Sequence, residues 1–448
     1  MDKFAFDMKN PYSYDFNSLV ELKNKITSLG LSLPLSDDFS VLSREVIIDG
    51  SEKKLKNSLT IHPMEGFDAE PDGTPSELSF RRYRRFANSG AGLAWSEAIS
   101  VVPEGRSNQR QFMLTEKNAG EYAKIAEILH GAGMLAAAQL THSGRFSKND
   151  ATPHPIIMER NPYMEKLRPL PDDMPCVTDD YLDRLPEIFA KRAKLAVDAG
   201  FDIIDVKCCH HYLFSEALAA FDRKGKYGGS YENRTRLFLD SVAAVKAEVG
   251  NRAIIGSRFG ACDMIPYPYG FGMKADGSLT PDYTEPLRLI GELMKAGVAV
   301  IDLTLGSPYY NPHVNRPHNK GGYIPPEHPL VGVERLLSAS KLIHEAYPSL
   351  CLIGTGYSYL KEFSPYLAAG AIKENYCSAV GFGRMAFAYE GFAKDMIAGR
   401  FDRNKSCITC GKCTEIMRAG GTTGCPIRDQ EVYLPIYRRL CKGQKFIT

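Results

Sequence analysis

With 448 residues, 24% charged and 44% hydrophobic, the chain carries enough apolar material for one large or two ordinary globular domains, which excludes disorder as its resting state. Its 55 Lys and Arg nearly balance 53 Asp and Glu, leaving a formal charge of +2, so nothing favours nucleic acid or an anionic membrane as a partner. There is no run of about 18 apolar residues and the opening MDKFAFDMKNPYSYDF lacks a signal-peptide core, so a cytoplasmic protein is expected.

Residues 1–58 precede the first predicted strand and are expected to form an extension that caps the bottom of the main domain. Eight apolar, β-branched runs then alternate with helical patterns: LTIHPM (59–64), GLAWSEAI (92–99), LAAAQLTH (135–142), FDIIDVKC (201–208), AIIGSRFG (253–260), VAVIDLTLG (298–306), LCLIGTGY (350–357) and SAVGFGRM (378–385). A typical intervening helix is DDYLDRLPEIFAKRAKLAVDAG, with Asp residues suited to capping its start and Gly200 to stop it. Eight such units predict an α/β fold, a (β/α)8 TIM barrel spanning 59–399, followed by a short cysteine-bearing tail, 400–448. An open doubly wound sheet is disfavoured because HPMEGFDAEPDGTPSE, after the first strand, lacks a Gly-x-Gly-x-x-Gly turn. Two long proline-rich connections, 143–178 and 307–332, follow strands and should overhang the C-terminal mouth as substrate loops.

Barrel interiors are filled by apolar layers, so polar side chains at several strand ends suggest one shared site. The candidates are Glu97, Gln139, His142, Lys207, His210, Arg258, Gly383 and Arg384. The glycine turns IGTGYS and GFGRMA after the last two strands suit a phosphate cradle.

PMEG (63–66), SEAISVVPEGR (96–106), AAQLTHSGR (137–145), KYGGSYENRTRLFLD (226–240) and GFGRM (381–385), in that order, resemble the old yellow enzyme family of FMN-dependent oxidoreductases over roughly residues 45–395. The resemblance implies FMN across the barrel mouth, with Pro63, Met64, Glu65 and Ala98 beside the isoalloxazine and Gln139 on its pyrimidine edge. Arg258 would stand near N1 and O2, and Gly356, Gly383 and Arg384 would hold the phosphate. Relatives carry His-x-x-His or His-x-x-Asn after the fourth strand, donating to a substrate carbonyl, then a tyrosine that protonates carbon. In KCCHHY those places fall to Lys207, His210 and Tyr212; Lys207 departs from the pattern and changes the pocket's charge. His211 has no role in the pattern and is expected in surface or loop packing.

Cys407, Cys410, Cys413 and Cys425 form C-x2-C-x2-C-x11-C, a spacing able to wrap a 4Fe-4S cluster, with zinc and free thiols as the other readings. The tail resembles the 2,4-dienoyl-CoA reductase and trimethylamine dehydrogenase branch, though its loop is one residue tighter between the second and third cysteines. The larger relatives continue into flavin- and nucleotide-binding domains, which the short stretch from Cys425 to Thr448 is not expected to contain. Together these features imply an FMN- and 4Fe-4S-dependent ene-reductase acting on an α,β-unsaturated carbonyl compound. Its electrons would come from a partner protein or subunit through the cluster, or directly from NAD(P)H, and a homo-oligomer is compatible with the sequence. An amine dehydrogenase and a non-catalytic electron-transfer subunit are the rival readings.

Overall fold

Apolar runs that are buried on both faces favour parallel strands wrapped by helices, and the eight predicted runs are the eight strands of one closed parallel barrel. The computed structural model describes residues 12, 14, 16–150, 152–319 and 323–441; the ends of the two outer segments, 1–11 and 442–448, lie outside the described residues. The strands are β1 (Leu59–Ile61), β2 (Leu93–Ser100), β3 (Leu135–Thr141), β4 (Ile203–Val206), β5 (Ile254–Gly260), β6 (Val298–Thr304), β7 (Cys351–Gly354) and β8 (Ala379–Phe382). Each pairs with its chain neighbour, and β8 closes on β1.

Alternate residues of a strand point to opposite faces, so one face of each strand fills the barrel in layers. Leu93, Trp95, Ala137, Ile203, Ile254, Val300, Cys351, Ile353 and Ala379 make the lowest layer, with Val46, Ile48 and Leu55 packed into it from the preceding segment. Two residues further along the same faces come Gln139, Asp205, Gly256 and Asp302, and two further again Lys207 and Arg258. The interior thus changes from apolar to charged toward the C-terminal ends of the strands. A register shift between Trp95 and Ala98 lets both residues of β2 face inward.

The predicted helix after the first long loop is Asp179–Asp198, but its cap is Thr178, whose hydroxyl accepts from Tyr181 N–H, rather than an aspartate. Gly200 supplies the left-handed residue that ends it. In the tail, Lys412–Arg418 and Gln430–Cys441 enclose a small core of Ile416, Tyr433 and Cys441. The tail is held to the first strand-to-helix loop and its helix: Thr423 N–H donates to Gly66 O at 2.6 Å, and Arg81 clamps Asp429 with two bonds of 2.7 and 2.9 Å. No described helix is long and apolar enough to cross a membrane.

Candidate functional site

A cavity of about 1230 Å³ opens at the C-terminal end of the barrel. Strand ends supply Pro63, Glu65, Ala98, Gln139, Lys207, His210, Tyr212, Arg258 and Arg384 to its wall; the two long loops and the helix Lys412–Arg418 supply the rest. Both proline-rich connections therefore do overhang the mouth. Met64, Gly356 and Gly383 stand behind the wall rather than in it. Met64 packs on the core, and a Cβ on Gly383 would come within 3.2 Å of its sulfur. Gly356 has φ 103°, and a side chain there would press on Leu336.

The turn after β4 bends sharply because His210 and His211 both adopt left-handed backbone, at φ 66° and 59°. Two consecutive non-glycine residues there are costly, about 1–3 kcal/mol each, and the turn is secured on both sides. His211 is fully buried, so the expected surface location is wrong and the packing role correct. It lies 3.5 Å from Asp263, near the Asn161 amide, and its N–H donates to Ser215 Oγ. This fixes Tyr212 as the residue preceding the helix Leu213–Leu218 while its ring turns into the cavity.

Tyr212 is 3% exposed, and its hydroxyl meets that of Tyr309, from the second long loop, at 2.9 Å. Burial, then Tyr309, push the phenol well above its ordinary value, so it stays protonated. Lys207 Nζ lies 4.0 Å from the Tyr212 ring centroid. It makes no hydrogen bond or ion pair among the described residues, and burial lowers its pKa. His210 Nε2 faces the Asn315 amide at 3.2 Å, and burial, then Lys207 and Arg258, hold the ring neutral. Glu65 accepts from Ser107 Oγ at 2.5 Å, and burial raises its carboxyl.

Two buried aspartates tune this floor. Asp205 takes the Gln139 amide at 2.6 Å, the Trp95 indole N–H at 3.0 Å and Arg258 N–H at 2.7 Å. Even so, burial raises it to about 6. With its NH2 group committed to Asp205, Gln139 has its carbonyl oxygen left as acceptor. Asp302 takes Arg258 Nη1 at 2.5 Å and the His62 ring at 3.0 Å; burial opposes its charge, but Arg258 and His62 hold the carboxyl below the usual range. Arg258 is therefore already paired, with its buried Nε the atom left without a partner. Neither aspartate was expected from sequence, although IIDV and VIDL each place a charge inside an apolar parallel strand, which is the signal that marks them.

Glu97 and His142, expected at the mouth, are not in the wall. Glu97 points opposite to Ala98 and joins a buried network with Arg82, at 2.7 Å, and Asp68. His142 accepts Gly144 N–H at Nδ1 and meets Tyr181 Oη at Nε2 over 2.8 Å, and burial lowers its pKa to about 3. A proton at Nδ1 would confront the Gly144 N–H. Because the folded value lies below the ordinary 6.5, this histidine's stabilising contribution is present above pH 6.5 and is lost as pH falls toward 3. His142→Asn should therefore flatten the acid limb of stability, by about 2 kcal/mol between pH 7 and 5. Urea unfolding of both proteins at the two pH values checks this.

The four tail cysteines line one small cavity together with Arg384, Phe387, Ile408, Thr409, Gly411 and Arg428. Backbone N–H groups reach three of the sulfurs: Thr409 to Cys407 at 3.4 Å, Lys412 to Cys410, and Ile427 and Arg428 to Cys425. Among the described residues no group of three or more His, Cys, Asp or Glu side chains is arranged to hold a single metal ion, and no disulfide occurs. Arg384 and Gly411 line both cavities, so the cysteine cavity and the barrel mouth share a wall.

Residues 48–270 match the family model described as the NADH:flavin oxidoreductase / NADH oxidase family, and the resemblance carried by the sequence motifs holds. An NADPH dehydrogenase of Halalkalibacterium halodurans is 31% identical over 196 residues, covering 43% of this chain and 56% of that protein. NADH:flavin oxidoreductase FG08077 of Gibberella zeae is 27% identical over 274 residues, covering 56% of this chain and 64% of that one. The aligned part thus amounts to less than two thirds of either relative. The fold matches that of a 2-naphthoyl-CoA reductase solved with 2-naphthoyl-CoA, with TM-score 0.70 at 17% identity over 87% of this chain and 57% of the other.

Proposed function

We propose that this barrel of the NADH:flavin oxidoreductase family is an FMN-dependent ene-reductase that saturates the C=C bond of an α,β-unsaturated carbonyl compound. The observation that carries it is the convergence, on one cavity at the end of β4, of an unpaired Lys207 ammonium, a neutral His210 ring and a protonated Tyr212 hydroxyl. Lys207 and His210 bind and polarise the carbonyl oxygen, and Tyr212 supplies the proton to the α carbon.

The floor fits FMN. Arg258 Nε is a buried donor without a partner, the Gln139 carbonyl oxygen is a suitable acceptor for a pyrimidine N–H, and Arg384 stands at the shared wall. Pro63, Glu65 and Ala98 would flank the ring system, Met64 would back it, and the Gly356 and Gly383 backbone would join Arg384 around the phosphate. FMN, when bound, supplies the hydride chemistry. The asymmetry of the wall argues against the amine-oxidising alternative: cationic side chains outnumber the carboxylates Glu65, Asp150 and Glu415 on it, and Lys207, Arg168 and Arg418 have no ion pair among the described residues, an unfavourable field for a cationic substrate.

The cysteine cavity supports a 4Fe-4S cluster in the tail. A cubane spreads its thiolates more widely than one ion does, and N–H groups directed at sulfur stabilise thiolates. Arg384 and Gly411 separate that cavity from the barrel mouth, so a cluster held by the four cysteines would supply one-electron transfer beside it, from a partner protein in the reducing cytoplasm, with NAD(P)H as the other donor. Cys413→Ser should lose iron and acid-labile sulfide together while retaining FMN; retention of both inorganic components would remove the cluster assignment. For the reaction, the test is anaerobic and spectroscopic. Dithionite-reduced enzyme should be reoxidised by cinnamaldehyde or 2-cyclohexenone, and the oxidised flavin should not be bleached by trimethylamine. Bleaching by the amine without reoxidation by either enone would reverse the assignment.

A further inference from the structure

The arginines of the large cavity fall into two groups. Arg145 is paired with Glu216, Arg258 with Asp302, and Arg110 donates to the Ala69 and Asp68 carbonyls. Arg316 donates to Thr414 Oγ1 at 2.7 Å, and Arg384 to Pro317 O at 3.3 Å; both lie on the side of the cysteine cavity, where Arg316 feels Cys413 and Arg384 faces Cys407. An anionic cluster and a flavin phosphate would give these two their counter-charges. Arg168 and Arg418 remain. Neither guanidinium has a hydrogen bond or an ion pair among the described residues, both line the cavity, and burial, then the charge of Arg168, disfavour the charge on Arg418.

Their placement is specific. Arg168, on the first long loop, lies with its guanidinium carbon 5.0 Å from the Tyr309 ring centroid and 5.3 Å from that of Phe146, and those two rings stack at 3.8 Å. Tyr309 in turn touches the Tyr212 hydroxyl. Arg418 ends the helix Lys412–Arg418 and approaches from the tail. The two cations therefore reach the cavity wall from the first long loop and from the tail, and both act on Tyr309, the partner of Tyr212. Glu415, one turn before Arg418, is engaged by Tyr437 Oη at 2.7 Å and pairs with neither arginine; two like charges left unpaired repel, and a bound anion turns that repulsion into attraction. Their planar forks suit carboxylate or phosphate oxygens.

We infer that Arg168 and Arg418 form an anion subsite that recognises a carboxylate or phosphate carried on the substrate, remote from its reacting carbons. That the bound molecule is a substrate rests on the ene-reductase reading; the binding itself does not. The subsite makes the tail a contributor to specificity as well as a cofactor holder, because Arg418 lies five residues beyond Cys413 on the same helix.

The test compares 4-(4-carboxybutoxy)cinnamaldehyde with its methyl ester, and with the corresponding phosphate monoester, by calorimetry on FMN-loaded, oxidised protein. The free acid or the phosphate should bind about tenfold or more tightly than the ester, and whichever anion binds tighter identifies the preferred group. That preference should shrink with added NaCl and collapse toward unity in Arg168→Met and in Arg418→Met, with the ester's own constant in each variant as the internal reference. Equal binding of acid, phosphate and ester by the unsubstituted protein, or a preference unchanged by both substitutions, overturns the subsite. Turnover is read separately. An anion preference that depends on the two arginines, without reduction of any of the three compounds, leaves the subsite standing and removes the ene-reductase reading. Reduction of all three without a preference does the reverse.

Discussion

Tyr212→Phe should lower the rate of alkene reduction by about 10²- to 10⁴-fold, the range expected for loss of a positioned general acid, while leaving reduction of the flavin unaffected. The separation follows from the geometry. The Tyr212 hydroxyl is committed to the cavity and to Tyr309 at 2.9 Å, not to the polar floor formed by Gln139, Asp205, Arg258 and Asp302. Burial, then Tyr309, raise the phenol's pKa well above its ordinary value, so the hydroxyl carries its proton at neutral pH. Replacing it removes one oxygen from a packed cluster of Phe146, Met164 and Ile265 without changing the ring's shape. Tyr309→Phe should have a smaller effect on the same step, since among the described residues that hydroxyl's hydrogen bond is to the donor itself. Stopped-flow measurement of the two half-reactions distinguishes them. An oxidative half-reaction with cinnamaldehyde that is unchanged in Tyr212→Phe would remove this residue from the chemistry.

The barrel was legible in the sequence because each strand is a short apolar run bounded by turns, and eight regular units leave few topologies. The wall of the candidate site was legible where a motif fixes a residue at a strand end, as for Gln139, Lys207 and Arg258, all of which line the cavity. It failed where two neighbours in a strand have opposite fates. Ala98 lines the cavity and Glu97 faces the helix Glu77–Ala87, and nothing in SEAIS says which of the two points inward once the register shift after Trp95 intervenes. Arg168 and Arg418 were invisible for a different reason. They come from a loop and a tail far apart in the chain, and only the folded tail brings the second of them to the barrel mouth. The same folding joins Arg384 and Gly411 in the wall between the two cavities, a relation that no local spacing encodes.

Arg82→Met should destabilise the fold by about 3–5 kcal/mol, the cost of removing one partner from a buried charged network. Arg82 is 2% exposed and reaches Asp68 at 2.8 Å and Glu97 at 2.7 Å, both of them buried as deeply. One guanidinium facing two carboxyls leaves room for one proton, and burial places it on Glu97, whose pKa rises to about 8. Since that folded value lies above the ordinary 4.5, the contribution of Glu97 to stability is present below pH 4.5 and fades as pH rises through 8. Without Arg82, Asp68 keeps its bond from Ser79 Oγ but loses its counter-charge, and Glu97 keeps only Gly66 N–H at 2.6 Å. Gly66 is also where the tail docks, through Thr423 N–H, and it follows Glu65 in the cavity wall. The loss should therefore spread to both: weaker FMN retention and a tail more readily cleaved by protease. Asp68→Asn in the Arg82→Met background removes the unpaired charge and should recover part of the stability, whereas Asp68→Asn alone should cost less than Arg82→Met. Urea unfolding of the three variants at pH 7 tests the ordering. Full additivity of the two substitutions would show that the guanidinium and the carboxylate do not act as a unit.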